Sequence, residues 1–445
     1  PAGALSPALV AETEAQRDRL AGDRTLVGNR FFFRHLQMVH RRADYYLDVK
    51  MNSPLVGGVE TFASATPGNL SFGDGVTSIL RHGDEYRAIH AYNIPESLWR
   101  FRSLPGTTQL DYEYGDKSKW GGLDRYRGGG GSTAGGVSDG EFGHCAFDFV
   151  GHKRNSTRAK KFFAFTGDGM VVLGAGITGD KPAPAPRYSY RSNLNQTHFR
   201  KTVTVVDAAG KQTTIQPDET DRLLELPLNQ RYWVEHDGVG YLVLPSEGAG
   251  KLVVRTSIRT PLNRLAPDIW ENPKMAGYRK TCEELMAKDP PRQVPVLEVW
   301  IDHGSQPSNA TCVYFVCMRP ERLTPAQWLG SPPFEGLANT PSLHAVRDLQ
   351  SGVLHAFFRE PGELRNAQDQ VLLAAEEPAS VMLRGNTVLV QDPLAACKRD
   401  ITEMSDTVHL VIRDGAGTRK LAVAMPGSGD PDDRYRGGIA RGELR

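Results

Sequence analysis

From Asn29 onward the chain alternates apolar and polar residues in short runs broken by glycine-containing turns, and this period of two restricts its fold more than any other feature. Leu47, Val49 and Met51 alternate with Asp48 and Lys50, the pattern of a strand with one buried face. Runs over 162–173, 231–244, 251–258, 294–301 and 311–318 read the same way. Gly73-Asp74-Gly75, Gly167-Asp168-Gly169, Asp237-Gly238 and Asp414-Gly415 are turn signals between such runs. Many strands, short connections and no alternating helices predict antiparallel sheets stacked as a sandwich. Helix is expected at two places. Ser6-Pro7 can cap and open a helix over 8–21 that Gly22 stops. Its apolar residues Leu9, Val10 and Leu20 form too poor a stripe to stand alone, so it leans on another element. A second, short helix is expected at about 273–288.

Three segments follow from this reading: a helical segment over 1–25, a large central β-sandwich over 26–335, and a smaller C-terminal β-sandwich over 336–445. The second boundary lies near Ser331-Pro332-Pro333, and strands over 352–359, 370–375, 380–383, 387–391 and 407–413 belong to the smaller unit. The Gly-, Asp- and Arg-rich tail after Pro426 is expected to be loose. With 53 Lys and Arg against 52 Asp and Glu, the net charge is +1, which argues against a nucleic-acid surface over the whole protein. No apolar run approaches the roughly 20 residues that a membrane-spanning helix needs.

The five cysteines have no metal-ligand spacing and read as buried free thiols. Cys312 and Cys317, five apart in one strand, point to opposite faces and cannot grip one ion. The glycine-rich stretch 127–140 lacks the Gly-Lys-Ser/Thr ending of a phosphate loop and is expected to be a flexible surface loop. His40-Arg41-Arg42 between two strands can hold an anionic sugar, or bond carboxylates and carbonyls of its own protein. Trp99, Trp120, Trp233 and Trp270 are read first as core residues. No metal and no cofactor is expected.

In order along the chain, Gly28-Asn29-Arg30-Phe31-Phe32, Met38-Val39-His40-Arg41-Arg42, Glu60 thirteen residues before Gly73-Asp74-Gly75, Leu104-Pro105-Gly106-Thr107-Thr108, Gly135 to Gly140, Ala159-Lys160-Lys161-Phe162-Phe163, Val172 to Ile177, His236 to Tyr241 and Ile301-Asp302-His303-Gly304 resemble the β-sandwich half of the family 8 polysaccharide lyases. The resemblance covers roughly residues 28–320, and the smaller unit fits the family's C-terminal sandwich. It implies an all-β chain with a large antiparallel supersandwich, preceded by a helix left from an α/α toroid domain. The activity it implies is β-elimination at a uronic acid of chondroitin, hyaluronan or a similar acidic polysaccharide, in a secreted or periplasmic protein.

In this family the toroid supplies the Asn and His that neutralise the carboxylate and the Tyr that acts as base and acid. The toroid partner is therefore expected on a separate chain or in a missing segment. Glu60 matches the family's Glu that closes the site, expected to hold a toroid Arg or Tyr by a charge-assisted bond. Asn69 falls near a sugar-contacting Asn, and Arg42 is a further substrate-binding candidate. Ala63 stands where the family commonly places a sugar-contacting Asn. Some members bind calcium through acidic residues where this chain has Arg100 and Arg102, so only Asp111 and Tyr112 remain as ligands there and no calcium is expected. Two further readings stay open: a carbohydrate-binding protein without catalysis, and a lyase whose base is His40 or a Tyr of the strand after it.

Overall fold

The computed structural model describes residues 26–57, 71–90, 97–112, 131–151, 157–248, 250–263, 271, 273, 276–398, 404–414, 417–427 and 437–444. Strands β1–β18 run from Gly28 to Cys317 and form three antiparallel sheets. A four-stranded sheet has the order β1(Gly28–Phe32)-β2(Gln37–Arg41)-β3(Tyr46–Lys50)-β4(Val76–Leu80). A five-stranded sheet has the order β13(Leu223–Pro227)-β16(Lys251–Arg259)-β17(Val294–Asp302)-β10(Tyr190–His198)-β5(Thr108–Leu110). Both pack on one face of a nine-stranded sheet, β12(Gln212–Ile215)-β11(Val203–Asp207)-β14(Tyr232–His236)-β15(Val239–Leu244)-β18(Ala310–Cys317)-β9(Gly169–Gly179)-β8(Thr157–Phe165)-β7(Gly143–Val150)-β6(Ala134–Ser138).

The alternation seen in the sequence assigns the two faces of that nine-stranded sheet. Cys145, Phe147, Phe163, Val172, Val234 and Tyr314 join Met38, Leu47 and Ile79 of the first sheet and Leu252, Leu297 and Val299 of the second in one core. Their strand neighbours Ala146, Phe162, Val171, Trp233 and Phe315 point the other way. There they meet Trp328 of the short helix α2 (Pro325–Gly330) and Phe334, Val346 and Phe357 of a second pair of sheets. Being covered on both faces, the large sheet's strands read as nearly continuous apolar runs. Each fully buried phenylalanine there contributes about 1.5–3 kcal/mol relative to exposure.

The second pair of sheets is built from β19(Phe334–Asn339)-β20(Leu343–Asp348)-β21(Leu354–Phe358)-β24(Ala379–Arg384)-β25(Thr387–Gln391)-β28(Ala440–Glu443) and β22(Gly362–Arg365)-β23(Val371–Ala375)-β26(Thr407–Asp414)-β27(Gly417–Ala424), with a core of its own around Leu354, Leu373, Val381 and Leu410. The architecture is thus the all-β stacking of antiparallel sheets read from the sequence. Among the described residues no helix is long and apolar enough to cross a membrane. The helix expected over 8–21 lies outside the described residues.

Several local expectations are corrected. The runs 162–173 and 231–244 are each two strands, β8–β9 and β14–β15, and Asp237 and Gly238 turn the second hairpin with φ of 51° and 76°. The second expected helix occupies Ala276–Met286 (α1), burying the i, i+4, i+7 stripe Tyr278, Cys282 and Leu285. The glycine-rich stretch is not all surface loop: Ala134–Ser138 is edge strand β6, buried from Ala134 to Val137. A Cβ on Gly135 would lie 1.9 Å from Gln391 Oε1, and one on Gly136 2.5 Å from the His144 carbonyl oxygen, so glycine here answers close backbone approach rather than flexibility. Within the tail the described residues 437–444 are tied down, because β28 pairs with β25 and buries Ala440 and Leu444, while 428–436 lie outside the described residues.

Candidate functional site

Glu60 and Asn69 lie outside the described residues, so the site is built from the residues that flank their segment. β3 delivers the chain at Lys50 and β4 takes it up at Val76, residues that face each other across the sheet. Lys50 Nζ donates to the carbonyls of His35 and Met51, both at 2.7 Å, and burial lowers its pKa to about 8. Asn52 Nδ2 donates to Asp74 Oδ1 at 2.9 Å. Burial pushes the Asp74 carboxyl up to about 6, against the pull of Arg102. Arg102 Nη1 donates to Ser71 Oγ and Gln109 Oε1, each at 3.2 Å. Ser53 Oγ donates to the Ala396 carbonyl and accepts from the amides of Leu55 and Val56, which ties the outgoing end to the C-terminal sandwich.

Two of the sequence motifs meet at this root. Gly75 (φ +82°) and Gly106 (φ +80°) both occupy the left-handed region, and a Cβ on Gly106 would sit 2.4 Å from the Gly75 carbonyl oxygen. Thr77 N–H donates to the Pro105 carbonyl at 2.9 Å across the same contact. The root is therefore rigid and polar. It fixes both ends of the connecting segment, and the Asp74 carboxyl, of raised pKa, is buried against Asn52.

Arg42 sits elsewhere. It precedes β3, at the far end from Lys50, and five strand residues separate the two ends by roughly 16 Å. Its guanidinium donates to the Glu141 carbonyl at 2.8 Å and lies 5.7 Å from the Phe142 ring, on which Arg384 also rests at 4.8 Å. The structure does not bring Arg42 to the root of the segment that carries Glu60 and Asn69. His40 is fully buried, with Nδ1 3.2 Å from Asn29 Nδ2 and Nε2 3.2 Å from the Tyr45 hydroxyl. Burial, and then Arg42, hold its pKa well below the ordinary histidine value. Tyr45 donates to the Gly167 carbonyl at 3.0 Å, burial raises its pKa, and Tyr46 donates to Asp48 at 2.9 Å. A base must reach its proton within hydrogen-bond distance; His40 and Tyr45 are buried in the fold, and the half-buried Tyr46 is engaged by Asp48.

At Asp111 and Tyr112, the positions left open as calcium ligands by the resemblance, guanidiniums surround the carboxylate. Asp111 accepts from Ser103 Oγ at 2.9 Å, lies 2.5 Å from Arg191 Nη1 and 3.8 Å from Arg100 Nη2. Burial pushes its carboxyl up, but Arg100 and Arg191 outweigh burial and leave it below the usual range. Arg102 is turned to Ser71 and Gln109, and Tyr112 packs edge-on against Tyr188 at 4.8 Å. A hard cation needs six to eight oxygen ligands, so these residues do not fit calcium. Guanidiniums supply the positive charge instead.

Beside this position, on the face of the five-stranded sheet opposite Leu252 and Val254, lies an ion-paired wall that sequence reasoning missed. Glu298 accepts from Arg255 Nε at 2.9 Å and from Arg259 Nη2 at 2.8 Å. Burial raises its pKa, yet Arg255 and Arg259 hold it well below the carboxylate range. Period-two alternation does place Arg255 with Arg259, and Glu298 with Trp300 and Asp302, on common faces. The pairing Arg255↔Glu298 is a matter of register, which no local pattern specifies.

Comparison with known proteins gives a consistent result. The super-sandwich domain of polysaccharide lyase family 8 matches residues 27–322, and the family's C-terminal beta-sandwich domain matches residues 337–397. The chain is 27% identical over 376 residues to the chondroitinase-AC of Pedobacter heparinus, covering 82% of this chain and 46% of that protein. It is 25% identical over 416 residues to the hyaluronate lyase of Thermasporomyces composti, covering 87% of this chain and 46% of that one. A solved chondroitinase AC lyase shares the fold at a TM-score of 0.69 and 23% identity, over 97% of this chain and 57% of that one. The Paenibacillus xanthan lyase does so at 0.68 and 17%, over 97% and 39%. The chain thus spans about half the length of the curated relatives it matches.

Proposed function

The chain belongs to polysaccharide lyase family 8, and from that membership we propose that it is the β-sandwich part of an enzyme that cleaves uronate-containing polysaccharides, such as chondroitin or hyaluronan, by β-elimination. The observation that carries this reading is the family match across both stacked-sheet units, in a chain about half as long as its curated relatives. A helical toroid domain supplies the rest of the site, and the assembled enzyme works outside the cytoplasm, secreted or periplasmic.

The chemistry sets the division of labour. The C5 proton of a uronate is weakly acidic while its carboxylate is ionised, because its removal piles negative charge on the acid group. Donors must neutralise that charge, a base must take the proton, and the bond from C4 to the departing oxygen then breaks to leave a C4–C5 double bond. The toroid's Asn, His and Tyr do this work. Glu60 closes the site by orienting a toroid Arg or Tyr, and Asn69 contacts sugar. The rigid root formed by Lys50, Asn52, Asp74 and Arg102 supports these roles, since a closing carboxylate acts only if its segment is anchored at both ends. The test is to assay this chain alone and together with the helical domain on chondroitin, hyaluronan and xanthan, following the ultraviolet absorbance of the unsaturated uronate. Elimination by the pair and none by the isolated chain is expected. Polysaccharide binding with no elimination in the complete protein would overturn the reading in favour of a carbohydrate-binding protein.

A further inference from the structure

The outer face of the five-stranded sheet holds a cavity of about 370 Å³ walled by Arg100, Arg187, Arg191, Arg255 and Arg259, with exposed Asp221 alongside. Among the described residues it is a wall of five guanidiniums and one carboxylate. Arg191 and Arg255 are fixed in place. Trp300 stands between Arg191 and Arg255, whose guanidinium carbons lie 4.4 and 5.2 Å from its ring centroid. Arg191 gives Nε to Ser189 Oγ at 3.0 Å and sets Nη1 against Asp111 Oδ2 as an ion pair, and Arg255 gives Nε and Nη2 to Glu298.

Each guanidinium has five N–H donors. Among the described residues, Nη2 of Arg191 and Nη1 of Arg255 have no hydrogen-bond partner, although the Arg191 side chain is only 6% exposed. Both residues line the cavity. Glu298 and Asp111 stand behind the wall and keep the arginines pinned. What the wall presents is preorganised positive charge with donors to spare, in a space at the lower end of small-molecule sites.

We infer that this cavity is a binding site for an anionic group of an acidic sugar, a sulfate ester or a uronate carboxylate, held by Arg191 and Arg255 with the exposed Arg187 assisting. The inference rests on the polysaccharide reading above for the origin of the anion. The cavity shares the 97–112 segment with the root of the candidate site: Arg100 faces the cavity, while Arg102 faces Ser71.

The test is calorimetric titration of the full chain at low ionic strength with inorganic sulfate, a chondroitin sulfate tetrasaccharide and an unsulfated hyaluronan tetrasaccharide. Saturable binding that weakens with salt is expected. Preference for the sulfated sugar and for inorganic sulfate assigns the site to sulfate esters, and equal binding of both sugars assigns it to the carboxylate. Arg255→Gln and Arg187→Gln should each weaken binding by about five- to tenfold, and Asp221→Asn should strengthen it. Arg187 and Asp221 are exposed, so those two variants keep the test valid if Arg255→Gln disturbs folding. Absence of saturable binding, or binding indifferent to all three substitutions, overturns the inference. In the complete enzyme the two readings separate: robust elimination with unaltered binding in the variants sinks only this site, and arginine-dependent binding without elimination sinks only the lyase reading.

Discussion

Replacing Arg359 by methionine should loosen the joint between the two stacked-sheet units and expose how much one buried ion pair contributes. Arg359, which follows β21, reaches back to the large sandwich, where its Nε donates to Asp148 Oδ1 on β7 at 2.7 Å. Its Nη1 lies 2.7 Å from His344 Nδ1 and its Nη2 donates to the Lys161 carbonyl at 3.3 Å. The side chains of Asp148 and Arg359 are 1% and 5% exposed, so neither falls back on water when its partner is removed. Burial alone would raise the Asp148 pKa, but Arg359 and then Lys160 drive it well below the usual carboxylate value. Breaking a buried pair costs about 3–5 kcal/mol. Lys160 Nζ, 2.8 Å from the other carboxylate oxygen, and Ser132 Oγ, at 2.7 Å, remain in Arg359→Met. The expected loss is therefore about 2–4 kcal/mol.

Asp148→Asn should cost a similar amount by stranding the guanidinium. The double variant should lose about 2 kcal/mol less than the sum of the single losses, because neither charge is then left alone. The assay is guanidinium chloride unfolding of wild type, both single variants and the double variant at pH 7. A second signature lies in acid. The folded pKa of Asp148 is below its unfolded value near 3.9, so its stabilisation is present above about pH 4 and disappears as pH falls through the folded value. That acid-side loss should shrink in Arg359→Met. Single losses below about 0.5 kcal/mol, or strict additivity in the cycle, would refute the reasoning.

Three further outcomes are expected. The buried histidines His355 (about 3), His236 (about 4) and His303 (about 4) are lowered first by burial, so the unfolded chain takes up protons before they do and stability falls with pH from about 6.5 towards 4. Each removes about 2 kcal/mol between pH 7.5 and 5, Asp74 at about 6 returns about 1.4, and a thermal midpoint that stays flat or rises over that range would contradict the account. Trp328→Ala deletes a ring stacked on Trp233 at 5.6 Å between the two units and should cost about 3–5 kcal/mol in denaturant unfolding, a loss under about 1 kcal/mol being the contrary result. In the assembled enzyme, Glu60→Gln should slow turnover by about ten- to a hundredfold with little change in thermal midpoint, and unchanged turnover would remove Glu60 from the site.

The candidate site was legible in part. The motifs around Gly75 and Gly106 are visible in the sequence, yet their mutual contact is not, because an approach so close that it leaves no room for a Cβ on Gly106, between residues 31 positions apart, depends on how two sheets stack. Arg42 illustrates the opposite: its neighbours suggested a sugar contact, and only the fold shows that β3 separates it from the root of the Glu60 segment. The arginine wall was marked locally only by the spacing of Arg255 and Arg259, and its pairing with Glu298 is set by register.

What the amino-acid sequence determined by itself was everything carried by the period of two and by turn chemistry. Leu47, Val49 and Met51 had to share a face, Asp237-Gly238 had to turn, and Cys312 and Cys317 had to enter opposite cores, because these follow from backbone geometry within a few residues. The tertiary structure alone decided the strands whose residues break those rules. β10 is buried along nearly its whole length although it carries Ser192, Asn193, Asn195 and Gln196. It is tolerated because Ser192 meets His303 at 2.9 Å, Asn193 donates to Thr107, Asn195 donates to Tyr241 at 2.6 Å, and Gln196 donates to the Arg100 and Ser103 carbonyls. A polar strand can sit in the middle of a sheet only when distant segments satisfy each side chain, and those partners are set by register and stacking rather than by the strand's own composition.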